Sequence, residues 1–315
     1  DTMIVGRDYQ RIFDKVLAKV KPTEKEIKED WEFIEKLVDK INKMTPEDIY
    51  VEVAGSIAKG TSRKGDRDFD VFMLFSKKYS VLELMSDGLK YAKQAAKGNK
   101  YEIAYAEHPY LRTWIQGKEI DIVPSYKISD ISERVTSVDR SPLHTRYINS
   151  VMNDSQKDDV RLLKQFLKGS GIYGAEGRIQ GFSGYLCELL IVAHKNFVGL
   201  LETASKWKEV PTFDIEKKRM PSELKKKFPN SAMIVIDPVD ENRNVAAAVS
   251  KTSLSILIHS SREFLRKPSI NYFFPPEKKI NKKWIETQMK QRDSLMLGVE
   301  LEKPQIVEDI LWPQL

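Results

Sequence analysis

Apolar residues in the first 44 positions recur every three or four residues, the spacing of helices that bury one face. Residues 7–19 place Ile12, Phe13, Val16 and Leu17 on one side. Residues 23–44 do the same with Ile27, Trp31, Ile34, Leu37, Val38 and Ile41, and Thr23 with Glu26 fits a capping box at the start. The pattern then switches. The runs 50–54, 70–75, 101–106, 110–115 and 119–124 are short and β-rich, with a helix expected over 81–97 between the second and third. From Ser141 helices return, at roughly 142–152, 156–169, 183–207 and 251–265. Residues 232–238 read as a strand ending at a turn, and 211–230 as a charged loop carrying the clusters Lys217–Arg219 and Lys225–Lys227. Pro268 opens a further unit, helical at 281–292. This is an α+β pattern: a mixed-sheet head over 1–137, a helical domain over 138–264, and the start of a third unit over 265–315.

Composition narrows the picture only a little. A chain of 315 residues is too long for one ordinary core and agrees with two or three domains. The net charge of +6 is compatible with a polyanionic partner without requiring one. No window approaches the roughly 20 apolar residues that span a bilayer. The first eight residues lack the apolar core of a signal peptide, so a cytoplasmic location is the expectation. The single cysteine, Cys187, excludes an internal disulfide and a multi-cysteine zinc site, and its apolar surroundings read as those of a small buried hydrophobe. His108, His144, His194 and His259 are scattered without HExxH spacing, so zinc chemistry is not expected.

The informative stretch runs from Val51 to Phe75. A strand enters Gly55-Ser56, a helical turn follows, and a second strand begins with alternating aspartates. Gly55 allows close backbone approach to a ligand, while Ser56 and the following N–H groups sit where a helix start favours phosphate. Asp68 and Asp70 are two apart on a strand, so both carboxylates project from one face. Asp121 supplies a third, its neighbours Ile120 and Ile122 pointing the other way into a core. Three hard oxygen donors beside a phosphate cradle suit Mg²⁺. Two such ions about 3.5–4 Å apart would activate an attacking hydroxyl and stabilise a leaving pyrophosphate. An EF-hand loop beginning at Asp66 is rejected, because Val71 stands where Gly is needed and Lys77 where Glu is needed. Aspartates merely decorating an edge turn are the bland alternative, and Gly55-Ser56 together with Asp121 argues against it.

These motifs resemble the polymerase β-like nucleotidyltransferase superfamily, and within it the archaeal-type (class I) tRNA CCA-adding enzymes. The resemblance runs nearly end to end. It includes Gly55-Ser-Ile-Ala-Lys-Gly-Thr61, Asp121-Ile-Val-Pro124, the segment 137–145, Val160 through Lys168, Gly171 through Glu176, Gly181 through Glu188, Asp237 through Ala247 and Pro304 through Asp309. It implies a polymerase β-like head, a helical central domain and a partial α/β C-terminal domain, the chain stopping at Leu315 short of the segment that completes the RNA-binding unit in the family. It also implies template-independent addition of C, C and A to a tRNA 3′ end from CTP and ATP. Asp68, Asp70 and Asp121 match the metal-binding carboxylates. Gly55, Ser56 and Lys59 match the phosphate-binding motif. His144, Lys164 and Tyr173 match residues holding the incoming nucleotide, and Arg243 the group reading the base edge. The family often has Glu where this chain has Asp68, and Arg where it has Lys59. The first change shortens the reach by one methylene, and the second loses a bidentate fork.

By spacing alone, Arg161, Lys164 and Lys168 line one helix face and read as solvated charge; the resemblance moves Lys164 to the triphosphate and leaves Arg161 and Lys168 as surface or RNA-backbone charges. The turn at Asp237–Asn244 is expected to close a strand and enter a helix, with Asn244 or a neighbour as cap. Two other readings stay open: a poly(A) polymerase-like or oligoadenylate-forming enzyme, and a non-catalytic RNA-binding module. The sequence leaves the oligomeric state open, a homodimer included.

Overall fold

The computed structural model describes residues 2–66, 68–105, 108–277, 280–298, 300 and 311–312. Its larger sheet has five strands: β1 (Tyr50–Ala54), β2 (Phe69–Phe75), β3 (Lys100–Tyr105), β4 (Pro109–Ile115) and β5 (Lys118–Tyr126), in the order β1-β2-β5-β4-β3. The central pair β2 and β5 is parallel, while β1, β4 and β3 join antiparallel, so the sheet is mixed as expected. One face is covered by helices α2 (Glu24–Asn42) and α4 (Val81–Ala95), the short α3 (Gly55–Ala58) lying between β1 and β2. Ile34, Leu37, Ile41, Leu84, Val71, Met73, Leu111, Ile120 and Ile122 form that core. Strand alternation therefore sends Asp70, Arg112 and Asp121 to the opposite face, open at their end and closed further along by buried Phe72, Leu74 and Val123. The Thr23–Glu26 capping box is present: the Thr23 hydroxyl accepts from the Glu26 N–H at 3.2 Å, and the Glu26 carboxylate accepts from the Thr23 N–H at 2.9 Å. Those bonds hold the Glu26 carboxyl down at about 2.

A second core is helical. It gathers α1 (Thr2–Val20), α5 (Arg140–Val151), α6 (Asp154–Gly169), α7 (Gly184–His194), α8 (Phe197–Ala204) and α10 (Lys251–Arg266) around Phe166, Phe197, Phe264 and Phe273. Phe13, Val16 and Val20 of α1 pack here, and so does Phe273. The N-terminal helix thus serves the helical unit rather than the sheet, and the helical core extends past residue 264.

Two local expectations change. The helix expected over 183–207 is two helices bent by 88°, broken where Lys195 takes a positive φ and Asn196 caps α8 by accepting from the Gly199 N–H. The bend lets both halves bury their apolar faces in one core. The supposed loop 211–230 contains strand β6 (Thr212–Asp214) and helix α9 (Pro221–Lys227), anchored by buried Leu224. Strands β7 (Ile234–Asp237) and β8 (Asp240–Asn244) complete a small sheet with β6. The Asp237 turn therefore leads into a hairpin and not a helix. Asn244 closes that hairpin, accepting from the Val235 and Ala246 N–H groups and donating to the Met233 carbonyl, whereas α10 is capped by Ser250. Helix α11 (Lys282–Arg292) agrees with the expectation for 281–292. The Pro304–Asp309 motif lies outside the described residues. No single helix among them is long and apolar enough to cross a membrane.

Candidate active site

The head's open face begins at Gly55. This residue has φ +71°, and a Cβ there would stand 1.8 Å from an Asp70 carboxylate oxygen. Glycine is required twice over, for the left-handed turn and for the close approach. Asp70 lies opposite Asp121 across the parallel β2–β5 pairing, so the two carboxylates are neighbours on one face. Asp68 precedes β2 and is exposed. Desolvation first, then the charges of Asp121 and Asp68, raise the Asp70 carboxyl to about 7. The Asp68 carboxyl is raised above its ordinary range by desolvation and by Glu119, Asp66 and Asp121, although its side chain reaches solvent. Like charges crowded in this way favour a cation. The all-oxygen donor set fits a hard divalent ion such as Mg²⁺.

The carboxylates are not yet gathered as ligands: among the described residues no three His, Cys, Asp or Glu side chains stand close enough to hold an ion. One of the three aspartates, Asp121, is engaged by Arg112, which no local pattern in the sequence marks. Its Nε and Nη2 donate to the two oxygens of Asp121, each at 2.8 Å, in a bidentate fork.

Behind the carboxylates, the loop after α3 is fastened to the helical unit by buried charges. Lys59 donates to Glu188 at 2.6 Å, and the Thr61 hydroxyl donates to the other Glu188 oxygen at 2.5 Å. Lys164 donates to the Thr61 carbonyl at 3.1 Å and lies 3.9 Å from Glu188. Glu188 is fully buried, and Lys59 and Lys164 nearly so. Burial opposes charge on both partners. The two lysines nevertheless bring the Glu188 carboxyl below its usual value, while burial, outweighing Glu188, lowers the Lys164 ammonium. Glu188 was visible in the sequence as a lone carboxylate inside an apolar helix, a position that demands a partner. Arg161 is corrected: it is buried, and its guanidinium donates to the Gly60 and Ser62 carbonyls instead of facing solvent. Lys168 remains largely exposed, 3.5 Å from Asp66.

Around the corner lies a third group. Asp237, almost fully buried, accepts from His144 at 2.9 Å, Tyr185 at 3.0 Å and Arg243 at 2.9 Å. Burial pushes its carboxyl up, but the bonds from His144, Arg243 and the Val239 N–H more than offset this and hold it low. Desolvation lowers His144, so its neutral ring donates through Nε2 and leaves Nδ1 as an acceptor. The His144 ring stacks on Tyr185 at 3.9 Å, and the Lys59 ammonium lies 5.4 Å from the centre of that tyrosine ring, linking this group to the loop after α3. Tyr173 is half-buried under the Arg63 guanidinium, 5.2 Å away, and near Lys164 at the start of α7. Cys187, buried beside this network, has its thiol pushed up to about 12, as befits an inert packing residue. A cleft of about 1100 Å³ opens beside Arg243, lined also by Ser129, Arg140, Ser183, Phe228 and Asn244. None of the three aspartates lines it.

Comparison with known proteins agrees with this layout. A model of the nucleotidyltransferase domain matches residues 34–145, and one of the second domain of tRNA nucleotidyltransferases matches 158–274. The CCA-adding enzyme of Archaeoglobus fulgidus is 38% identical over 307 residues, spanning 97% of this chain and 67% of that protein. That of Methanocaldococcus jannaschii is 39% identical over 97% of this chain and 70% of its own length. Among solved structures, a cytoplasmic RNA terminal U-transferase superposes on 86% of this chain and 99% of its own, with a TM-score of 0.68 at 14% identity. CdnC of E. coli with ATP covers 84% of this chain and 94% of its own, with a TM-score of 0.60 at 17% identity. The structural likenesses establish the polymerase β-like nucleotidyltransferase fold, and the sequence identities establish that the chain belongs to the archaeal-type CCA-adding enzyme family of tRNA nucleotidyltransferases.

Proposed function

We propose that this chain adds C, C and A in turn to a tRNA 3′ end, without a nucleic-acid template. The 3′-hydroxyl attacks the α-phosphate of CTP twice and of ATP once, releasing pyrophosphate each time. The observation that carries this reading is the combination, in one chain, of the Gly55-backed carboxylates with the Asp237 hairpin that turns Arg243 toward the large cleft. Asp68, Asp70 and Asp121 would hold Mg²⁺, which when bound polarises the reacting phosphate and the attacking hydroxyl. Gly55 and Ser56 receive the phosphates on backbone N–H groups. Lys59 and Lys164 keep ammonium donors beyond those given to Glu188 and Thr61, and these serve the triphosphate. Tyr173 and His144 border the nucleotide, and Arg243, aimed by Asp237, reads its base edge. In this scheme the head is 21–137, the helical domain combines 1–20 with 138–274, and the remainder begins the RNA-facing unit.

The test is incorporation by the purified chain on a tRNA lacking its terminal CCA, with Mg²⁺, CTP and ATP supplied singly and together. The expected products are two C and then one A, with no incorporation by Asp70→Ala. Long A-tails, or no use of CTP, would replace this reading with a poly(A) polymerase-like one. No incorporation, with tRNA bound equally by wild type and Asp70→Ala, would make the chain a binding module.

A further inference from the structure

Asp121 sits between opposite influences. Across the parallel pairing it faces the like-charged Asp70, and across the antiparallel pairing it faces Arg112. The guanidinium occupies both oxygens that an ion would need, and it is itself held in place. Its Nη2 also donates to the Tyr110 hydroxyl at 3.3 Å, and its Nε lies 3.1 Å from Glu119, whose other oxygen accepts from the Trp114 indole at 3.1 Å. Arg112 therefore cannot swing away freely when a cation arrives. One positive group must yield Asp121 to another.

We infer that Arg112 is a positioning residue that competes with the divalent ion for Asp121 and so sets the ion concentration at which the three-carboxylate site assembles. The inference rests on the reading of Asp121 as a metal ligand, and it explains why the three aspartates are present on one face without forming a ready-made site. A guanidinium fork keeps the carboxylate oriented while no ion is bound. It also makes the first ion pay for displacement, which delays assembly until the ion, alone or carried in with a nucleotide triphosphate, is abundant. Arg112 is partly exposed, so its replacement leaves no buried carboxylate stranded in the hydrophobic core.

The experiment titrates the full chain with Mn²⁺ alone, reading free ion by electron paramagnetic resonance, for wild type, Arg112→Gln, Arg112→Lys, Asp121→Asn and the Arg112→Gln/Asp121→Asn double variant. Arg112→Gln is expected to bind Mn²⁺ about fivefold more tightly, the scale of losing one partly exposed charge-assisted competitor. Arg112→Lys, which keeps the charge but loses the fork, is expected to lie between the two. In the Asp121→Asn background the Gln substitution is expected to change nothing. Thermal melting checks that each variant is folded, and if the Gln protein is not, the Lys protein alone decides by tightening or not. Unchanged or weaker Mn²⁺ binding in the folded Arg112 variants, with Asp121→Asn weakened, overturns the inference and leaves Asp121 a ligand. Unchanged binding in Asp121→Asn removes the underlying reading instead.

Discussion

On the head's open face, Asp68, Asp70 and Asp121 crowd together with Arg112 forked to one of them; at the junction with the helical unit, Glu188 lies between Lys59 and Lys164. Both regions bring carboxylates out of water, and their electrostatics run in opposite directions. The Asp70 carboxyl is pushed up to about 7 because like charges add to desolvation, whereas Glu188 is brought below its ordinary value because two ammonium groups outweigh a deeper burial. The first arrangement leaves Asp70 raised despite the nearby charges of Lys59 and Arg112. The second is complete as it stands and joins two units. Depth of burial alone therefore does not set the direction of these shifts; the balance of charge around each carboxylate does.

The sharpest way to break this contrast is Glu188→Gln. It leaves two nearly buried ammonium groups around a neutral amide and weakens the tie between the loop after α3 and α7. We expect a loss of about 3–5 kcal/mol of stability, the scale for breaking a buried ion pair from one side. Urea unfolding with and without CTP measures it, and the triphosphate is expected to restore part of the loss because it supplies the missing negative charge. A change below 1 kcal/mol would mean that the junction is held by its apolar packing alone.

Asp70→Asn is expected to act in the opposite direction on stability while abolishing nucleotide addition. The folded carboxyl, at about 7, holds its proton more tightly than the unfolded one at its ordinary 3.8. Stability without divalent ions therefore falls as pH rises from about 4 through 7, and the cost is complete above that. At pH 8 without divalent ions, Asn should stabilise the fold by about 1–3 kcal/mol, less than the full shift implies because part of the site reaches solvent. Thermal melts of both proteins from pH 4 to 8 test the sign. Curves that stay parallel across that window would show that Asp70 is not under strain.

The two regions were unequally legible in the sequence. Gly55, Asp70 and Asp121 announce themselves through local chemistry: a turn that only glycine allows, period-two alternation, and apolar neighbours facing the other way. Arg112 could not be found in this manner. Its role depends on β4 pairing with β5 in one register, a tertiary fact absent from either strand's pattern. Glu188 was conspicuous as a charge in an apolar helix, yet its partners lie 129 and 127 residues away in sequence at Lys59 and Thr61. The same limit explains Arg161, whose helical spacing suggested solvent while the loop carbonyls of Gly60 and Ser62 claimed it. The sheet strands and most helices followed from hydrophobic period, whereas β6 and β8 owe their existence to pairing with β7 and left no clear signal of their own.

A milder probe is Asp237→Asn. Asp237 resembles Glu188 in being buried and fully engaged, but its donors include neutral groups, His144 and Tyr185, as well as Arg243. The amide can still accept from one of them while its NH₂ opposes another. A loss of about 1–2 kcal/mol is expected, within the range for one mismatched buried hydrogen bond. Because Arg243 loses its charged anchor, KM for CTP and ATP should rise more than kcat falls. An equal fall in kcat with KM unchanged would place Asp237 with the reacting atoms and not with the base.

The smallest effects belong to charges that neither region uses. Lys217, Lys218 and Lys226 are exposed, and Lys218 also lines the large cleft. Replacing all three with Gln should shift stability by no more than about 0.5 kcal/mol, because nothing buried depends on them. Their contribution, if they meet the tRNA backbone, is long-range attraction, which salt screens. The variant should therefore bind tRNA more weakly at low salt and converge with wild type as salt rises. The slope of log affinity against log salt should fall by about 1 for each phosphate that is no longer neutralised. Use of CTP at saturating tRNA should be unchanged. An unaltered slope would place the RNA on another face and leave these lysines as solvated charge. A changed KM for CTP would show that the cleft carries its nucleotide past Lys218, drawing a surface charge into the same balance that separates Asp70 from Glu188.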